Sequence, residues 1–262
     1  MDVRGLRCVV TGAASGIGAA VAEQLTSQGA SVTALDVKAP EVAVEQFVEC
    51  DLADPASIAG AVDRLGSGWD ALCSVAGVPG TASADLVMKV NFLGHRYLTE
   101  LFFDRLNRGG SIVSVASMAG FDWQRRREQI LELLATDDFD SGLAWLRENP
   151  IAGNAYNFSK EALTVYVMTM GLAIAERGLR INAVSPGPVQ TPILGDFEET
   201  MGKENLDGVR DLVGRHATPA DIARIVVFLA SSDSAWINGV NIGADGGIGG
   251  AILTGLVPAP EI

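Results

Sequence analysis

Tyr156 and Lys160 stand four positions apart in Tyr156-Asn-Phe-Ser-Lys160. On a helix that spacing puts both side chains on one face. A free phenol has a pKa of about 10, too high for easy proton exchange at neutrality. An ammonium beside it favours the phenolate and lowers that value. A tyrosine tuned in this way can give a proton to, or take one from, the oxygen of an alcohol or ketone. Pairs with this spacing are frequent by chance, and most are helix-surface neighbours, so the pair carries weight only with other residues around it.

A second group lies near the start of the chain. Thr11-Gly-Ala-Ala-Ser-Gly-Ile-Gly18 follows the apolar run Arg7-Cys-Val-Val-Thr11 and leads into residues 16–28, where Ile17, Val21 and Leu25 recur at helical spacing. Small residues let a backbone turn sharply and approach a pyrophosphate, and a helix N-terminus offers free N–H groups to its charge. Gly12, Ser15, Gly16, Ile17 and Gly18 are therefore candidate contacts to a dinucleotide, although the glycine spacings of four and two differ from the usual fingerprint. Asp36 ends the next apolar run, 18 residues beyond Gly18. A carboxylate there reaches the adenosine ribose hydroxyls of NAD and repels the 2′-phosphate of NADP. The charge at that site favours NAD over NADP, with Lys38 two positions further along.

These groups need elements to position them. Short apolar, β-branched runs at 7–11, 31–35, 47–49, 71–75, 111–115, 180–184 and 239–242 read as strands. Helical stretches are expected at 16–28, from Pro55 onward, and at 86–106, 154–176 and 221–230. Strands alternating with helices imply βαβ units, a parallel sheet and helices on both of its faces. No repeat, low-complexity tract or linker divides the chain, so one domain is expected over 1–262.

Taken in order, the glycine loop, Asp36, Asn91 in Val90-Asn-Phe-Leu-Gly94, Ser117 in Ile112-Val-Ser-Val-Ala-Ser-Met-Ala-Gly120, Tyr156 with Lys160, and Ser185-Pro-Gly-Pro-Val-Gln-Thr191 resemble the short-chain dehydrogenase/reductase family over nearly the whole chain. The resemblance implies an α/β Rossmann-type doubly wound sheet of seven parallel strands in three α/β/α layers. It also implies NAD(P)-dependent oxidoreductase activity on a small-molecule alcohol or ketone. Tyr156 would be the general acid/base. Lys160 would lower its pKa and hold the nicotinamide ribose. Ser117 would bond the substrate oxygen and stabilise its developing charge. Asn91 would kink its helix and help hold a proton-relay water. Asp51 and Leu52 would meet the adenine ring, and Ala76 and Gly77 would border the cofactor. Pro186 and Gly187 would shape the nicotinamide side, and Val189 and Thr191 would hold the carboxamide.

Two departures stand out. The family commonly has Asn-x-Ala-Gly after its fourth strand, whereas this chain has Ser74-Val-Ala-Gly77; the shorter serine keeps only part of the hydrogen bonding. The 38 residues between Ser117 and Tyr156 exceed the family's short loop, so 121–150 is an insertion. Its apolar residues recur at helical spacing, and Arg125-Arg-Arg127 reads as a solvated face. The insertion resembles that of the bacterial 3α-hydroxysteroid dehydrogenase/carbonyl reductase branch, which has coniferyl-alcohol dehydrogenases among its relatives. It either walls an apolar substrate pocket or packs in a subunit interface, or does both. A loop at 192–212, with Gly195, Gly202 and Gly208, is expected to be a mobile lid. The family resemblance also implies a homodimer or homotetramer.

Composition excludes other classes. The net charge is −13, against the clustered cations that a nucleic-acid grip or an anionic membrane surface demands. The three cysteines read as buried free thiols suited to a reducing cytoplasm. There is no Cys-x-x-Cys or His-Glu-x-x-His, so no zinc or other metal site is expected. His95 and His216 read as surface residues. The favoured reading is an NAD-dependent dehydrogenase of a secondary alcohol, such as a hydroxysteroid, with an aryl alcohol of coniferyl type as the alternative. An acyl-carrier-protein ketoreductase would want NADP and a basic docking face. A non-catalytic NAD-binding regulator need not keep Asn91, Ser117, Tyr156 and Lys160 together.

Overall fold

The computed structural model describes residues 2–258; residue 1 and residues 259–262 of the expected 1–262 domain lie outside the described residues. In chain order the elements are β1 (Arg7–Thr11), α1 (Gly16–Ser27), β2 (Ser31–Asp36), β3 (Gln46–Glu49), α2 (Pro55–Leu65), β4 (Trp69–Ser74), α3 (Ala84–Met88) and α4 (His95–Phe102). They continue as β5 (Leu106–Val115), α5 (Arg127–Leu134), α6 (Phe139–Glu148), α7 (Ala155–Ala173), β6 (Arg180–Pro186), α8 (Leu194–Met201), α9 (Lys203–Val213), α10 (Pro219–Ala230), β7 (Asn241–Ala244) and α11 (Ile248–Leu253). The seven strands form one sheet in the order β3-β2-β1-β4-β5-β6-β7, and every pairing is parallel. The order reverses direction between β1 and β4, and at such a switch point the strand ends open a crevice for a ligand.

Each face of the sheet carries its own core. Val10, Cys73 and Val184 meet Val21 and Leu25 of α1 and Val226 of α10 on one side. Leu72, Ile112 and Ile181 meet α2, α4 and α7 on the other. Sheet residues buried on both faces explain the near-continuous apolar runs in the sequence. Cys8, Cys50 and Cys73 are all buried and free. No helix is long and apolar enough to cross a membrane among the described residues.

The expected helix at 86–106 is broken. A π-helical turn, Lys89–Gly94, separates α3 from α4, and the helix stops at Phe102. β5 therefore begins at Leu106, earlier than the expected 111. The insertion folds as the helices that its apolar spacing implies, α5 and α6, the latter entered through a capping box between Asp138 and Ser141. The stretch 192–212, expected as a loop, is instead the helix pair α8 and α9, broken at Gly202 with φ +84°.

Both histidine expectations are corrected: His95 is fully buried and His216 nearly so. His216 Nε2 lies 3.2 Å from the Leu206 carbonyl, and His95 lies beneath the cleft. The basic triplet is not uniformly solvated either. Arg126 donates to the buried Glu161 carboxylate at 2.8 Å and to the Ala152 carbonyl at 3.0 Å, and its guanidinium lies over the Phe158 ring. A buried carboxylate needs such a partner, which draws one of the three arginines inward.

Candidate active site

β1 delivers its backbone into the glycine loop, and that loop has no room for side chains. A Cβ on Gly18 would overlap the Gly12 carbonyl oxygen, and one on Gly12 would meet the Ala76 Cα at 2.8 Å. Gly12 and Gly16 have φ of +69° and +53°, where other residues are strained. Ser15 begins α1 without a side-chain cap, so the first-turn N–H groups remain directed at the cleft. At the end of β2, the Asp36 carboxylate accepts from Ala14 N–H at 3.0 Å and Lys38 N–H at 3.1 Å. A close backbone approach, an uncapped helix N-terminus and a carboxylate beside them fit a dinucleotide.

Asp51 accepts from Ala53 N–H at 2.8 Å, and the adjoining Leu52 is buried. Asn91 lies in the π-helical turn, which is the expected kink in physical form. Its amide is committed: Oδ1 accepts from Val78 N–H at 2.8 Å and Nδ2 donates to the Val78 carbonyl at 3.0 Å. Ser117, just beyond β5, accepts from Ala119 N–H at 3.1 Å and lines the same cavity as Tyr156. Asn154 caps α7 by accepting from Tyr156 N–H at 2.7 Å, which fixes where the helix, and so the tyrosine, begins. Lys160 Nζ donates to the Val115 carbonyl at 3.0 Å and lies 5.7 Å from the Tyr156 ring centre.

The electrostatics differ from the sequence expectation. Burial pushes the Tyr156 phenol up to about 12, opposed by the nearby Ser117 hydroxyl. Burial also pushes the Lys160 ammonium down to about 8. Removing both groups from water disfavours both charged forms, so in the protein alone the lysine does not bring the tyrosine below its ordinary value.

One cavity of about 1340 Å³ is lined by Gly12, Ser15, Gly16, Ile17, Gly18, Asp36, Asp51, Leu52, Ala76, Gly77, Ser117, Tyr156, Lys160, Pro186, Gly187, Val189 and Thr191. Asn91 stands behind it, fully buried. The volume exceeds the roughly 300–1,000 Å³ of a single-ligand pocket, as suits a cleft for two molecules. Thr191 faces the glycine loop, since a Cβ on Gly16 would meet its Cγ2 at 3.3 Å.

One apolar wall of the cavity is built from residues that the sequence did not single out. Ile193, Phe197 and Met201 of the α8 region and Leu206, Val209 and Leu212 of α9 line the cavity, with Ile248 and Ile252 of α11. The Phe197 ring meets the Tyr156 ring edge-on at 5.1 Å. Spacings of four along 193–201 and of three along 206–212 were the available signal. No residue of 121–150 lines the cavity. Of the roles left open for the insertion, walling this cavity is not the one the fold shows: its apolar side chains pack into the core around α7 and the π-helical turn.

The family pattern described as short chain dehydrogenase matches residues 7–127, and the one described as enoyl-(acyl carrier protein) reductase matches residues 147–249. The chain is 40% identical over 250 residues to a coniferyl-alcohol dehydrogenase of Pseudomonas sp. (strain HR199 / DSM 7063), covering 95% of this chain and 98% of the relative. It is 30% identical over 249 residues to a 3-alpha-hydroxysteroid dehydrogenase/carbonyl reductase of Comamonas testosteroni, covering 92% and 95%. Among solved structures, the 3-alpha-hydroxysteroid dehydrogenase of Pseudomonas sp. B-0831 complexed with NADH superposes with a TM-score of 0.78 at 28% identity, covering 95% of this chain and 98% of that one.

Proposed function

This chain belongs to the short-chain dehydrogenase/reductase family, and we propose that it is an NAD-dependent dehydrogenase of apolar, ring-bearing alcohols, with Tyr156 as the general acid/base. The observation that carries this reading is that Ser117, Tyr156 and Lys160 share one cleft with the glycine loop and Asp36, the Tyr156 ring meeting Phe197 edge-on.

A bound nicotinamide dinucleotide supplies the acceptor for the hydride that leaves the alcohol carbon. The glycine loop and the α1 N-terminus would hold its phosphates. Asp51 and Leu52 would border the adenine, and Val189 and Thr191 the carboxamide, with Pro186 and Gly187 shaping that end. Asp36 would accept from the ribose hydroxyls, and its charge supports NAD over NADP. Ser117 would donate to the alcohol oxygen, and Tyr156 would take the alcohol proton as its phenolate, a form favoured by the Lys160 ammonium and the positive charge of an oxidised nicotinamide beside it. Lys160, whose Nζ donates to the Val115 carbonyl, would hold the ribose side of the same space. The Asn91 amide is already bonded to Val78, so a relay water at this residue would bond its backbone.

For the substrate, the 40%-identical relative supports an aryl allylic alcohol of coniferyl type. A hydroxysteroid is the second reading, supported by the length of the apolar wall from Phe197 to Ile252 and by the NADH-bound structural neighbour. Buried thiols suit a reducing cytoplasm. Leu172 and Trp236 are 85% and 99% exposed, apolar surface that a second copy would cover in a homodimer or homotetramer.

The test is the initial rate of NAD⁺ and NADP⁺ reduction with coniferyl alcohol, hydroxysteroids and small secondary alcohols. The expected result is NAD⁺ reduction, fastest with a ring-bearing alcohol. Turnover with NADP⁺ alone would overturn the cofactor reading, and a preference for small alcohols the substrate reading.

A further inference from the structure

The turn from Val75 to Val78 forms the cleft floor, and side chains from three directions hold its backbone. Thr11 Oγ1 accepts from Val75 N–H at 2.8 Å and Ala76 N–H at 3.0 Å. Asn91 satisfies both backbone groups of Val78. The Ala76 carbonyl meets His95 Nε2 at 2.5 Å, and His95 Nδ1 lies 2.9 Å from Ser74 Oγ. A carbonyl only accepts, so Nε2 carries the proton, and Nδ1 accepts from the Ser74 hydroxyl. Burial, and then the nearby Lys160 charge, push the imidazole down to about 4, which keeps it neutral near pH 7.

The floor is tight on both sides. A Cβ on Gly12 would meet the Ala76 Cα at 2.8 Å. A Cβ on Gly77 would stand 3.2 Å from Asn91 Oδ1 and 3.7 Å from Lys160 Nζ. A small displacement of Ala76 is therefore felt both by the phosphate loop and by the lysine, because close-packed interiors transmit strain. Ser74 is too short to brace this turn by itself, and His95, one turn of helix beyond Asn91, supplies the missing reach.

We propose that His95, oriented by Ser74, is a positioning residue: it anchors the Ala76 carbonyl and so sets the cleft floor against which Lys160 and the dinucleotide are placed. The dinucleotide part rests on the proposed function; the anchoring of the floor does not.

The test compares His95→Leu, His95→Gln and Ser74→Ala with the parent protein. His95→Leu cannot donate, whereas a glutamine amide can reach the same carbonyl. Three readouts are taken: amide hydrogen exchange at residues 75–78 without ligand, NADH affinity by fluorescence, and the kcat and KM of folded protein. Losing a buried hydrogen bond predicts about tenfold faster exchange at 75–78 and about tenfold weaker NADH binding in His95→Leu. His95→Gln should recover most of both changes. Ser74→Ala should shift them in the same direction by less, and should add little to His95→Leu. A lowered melting temperature with exchange at 75–78 and NADH affinity both within twofold of the parent would overturn the proposal. If His95→Leu does not fold, Ser74→Ala decides it by the same two readouts. A parent that binds no NADH would sink the proposed function, while the exchange data would still decide the anchoring.

Discussion

The insertion at 121–150 and the helix pair at 194–213 look alike in sequence, each with apolar side chains at helical spacing near Tyr156. In the fold, α5 and α6 bury Ile130, Leu133 and Phe139 to 5% exposure or less. α8 buries none of its residues, and α9 only Leu206. Gly142 lets α6 press on the π-helical turn, since a Cβ there would meet Leu93 Cδ2 at 2.6 Å. Arg96 fastens the same region by donating to the Thr136 carbonyl at 2.5 Å and the Thr136 hydroxyl at 3.1 Å. The lid has lighter fastenings, such as Thr81 to Asp196 at 2.7 Å and His216 to the Leu206 carbonyl. The insertion commits most of its apolar side chains to the core and none to the cleft at Tyr156, whereas the helix pair leaves its own half-buried over that cleft. Substrate preference should therefore follow the lid, and stability the insertion.

That contrast can be broken from either side. The largest effect is expected from Phe139→Ala in the insertion, where emptying a buried aromatic site costs about 3–5 kcal/mol. Denaturant melts should show that loss while the ranking of alcohols by kcat/KM is unchanged; a changed ranking would break the contrast. Phe197→Ala in the lid should do the reverse. It removes the ring over Tyr156 and should lower kcat/KM for a ring-bearing alcohol by about 10- to 100-fold, about 1.4–2.7 kcal/mol, with little change in stability. Val209→Trp should narrow the same chamber and shift preference toward small alcohols by about tenfold, within the range for apolar pocket contacts. Both are read from steady-state kinetics on a substrate panel.

A further effect concerns the frame that both regions rest on. The folded His95 value of about 4 lies below the ordinary imidazole value. Between about pH 4 and 6.5 the unfolded chain thus binds the extra proton. His95 therefore contributes stability that is full above that window and is lost as pH falls through it. Relative to His95→Gln, the parent should take up about one more proton on unfolding within the window, measured as the difference between two pH–stability curves. Parallel curves would contradict a buried neutral imidazole.

The strand–helix alternation and the glycine loop were legible because each is local: β-branched runs, helical spacing, and glycines where the backbone turns. The stretch 192–212 was read as a loop because of its three glycines, yet only Gly202 takes a left-handed φ, while Gly195 and Gly208 sit inside helices with open space around them. His95 was misread because its partners, Ser74 and the Ala76 carbonyl, lie 21 and 19 positions away, and no periodicity reports such a contact. The insertion's helices were legible, but their destination was not: helical spacing says that a face will be covered and leaves open by what. The tyrosine's electrostatics depend on burial, which residue identity alone does not give.

The central claim is that Tyr156 handles the proton of alcohol oxidation at a dinucleotide cleft. Tyr156→Phe keeps the ring against Phe197 and removes only the hydroxyl. The account predicts that this variant binds NADH with near-parental affinity and reduces NAD⁺ with a ring-bearing alcohol at least about a thousandfold more slowly, within the 10²–10⁴ range of acid–base catalysis. Alcohol-dependent NADH formation at the parental rate in Tyr156→Phe would contradict it.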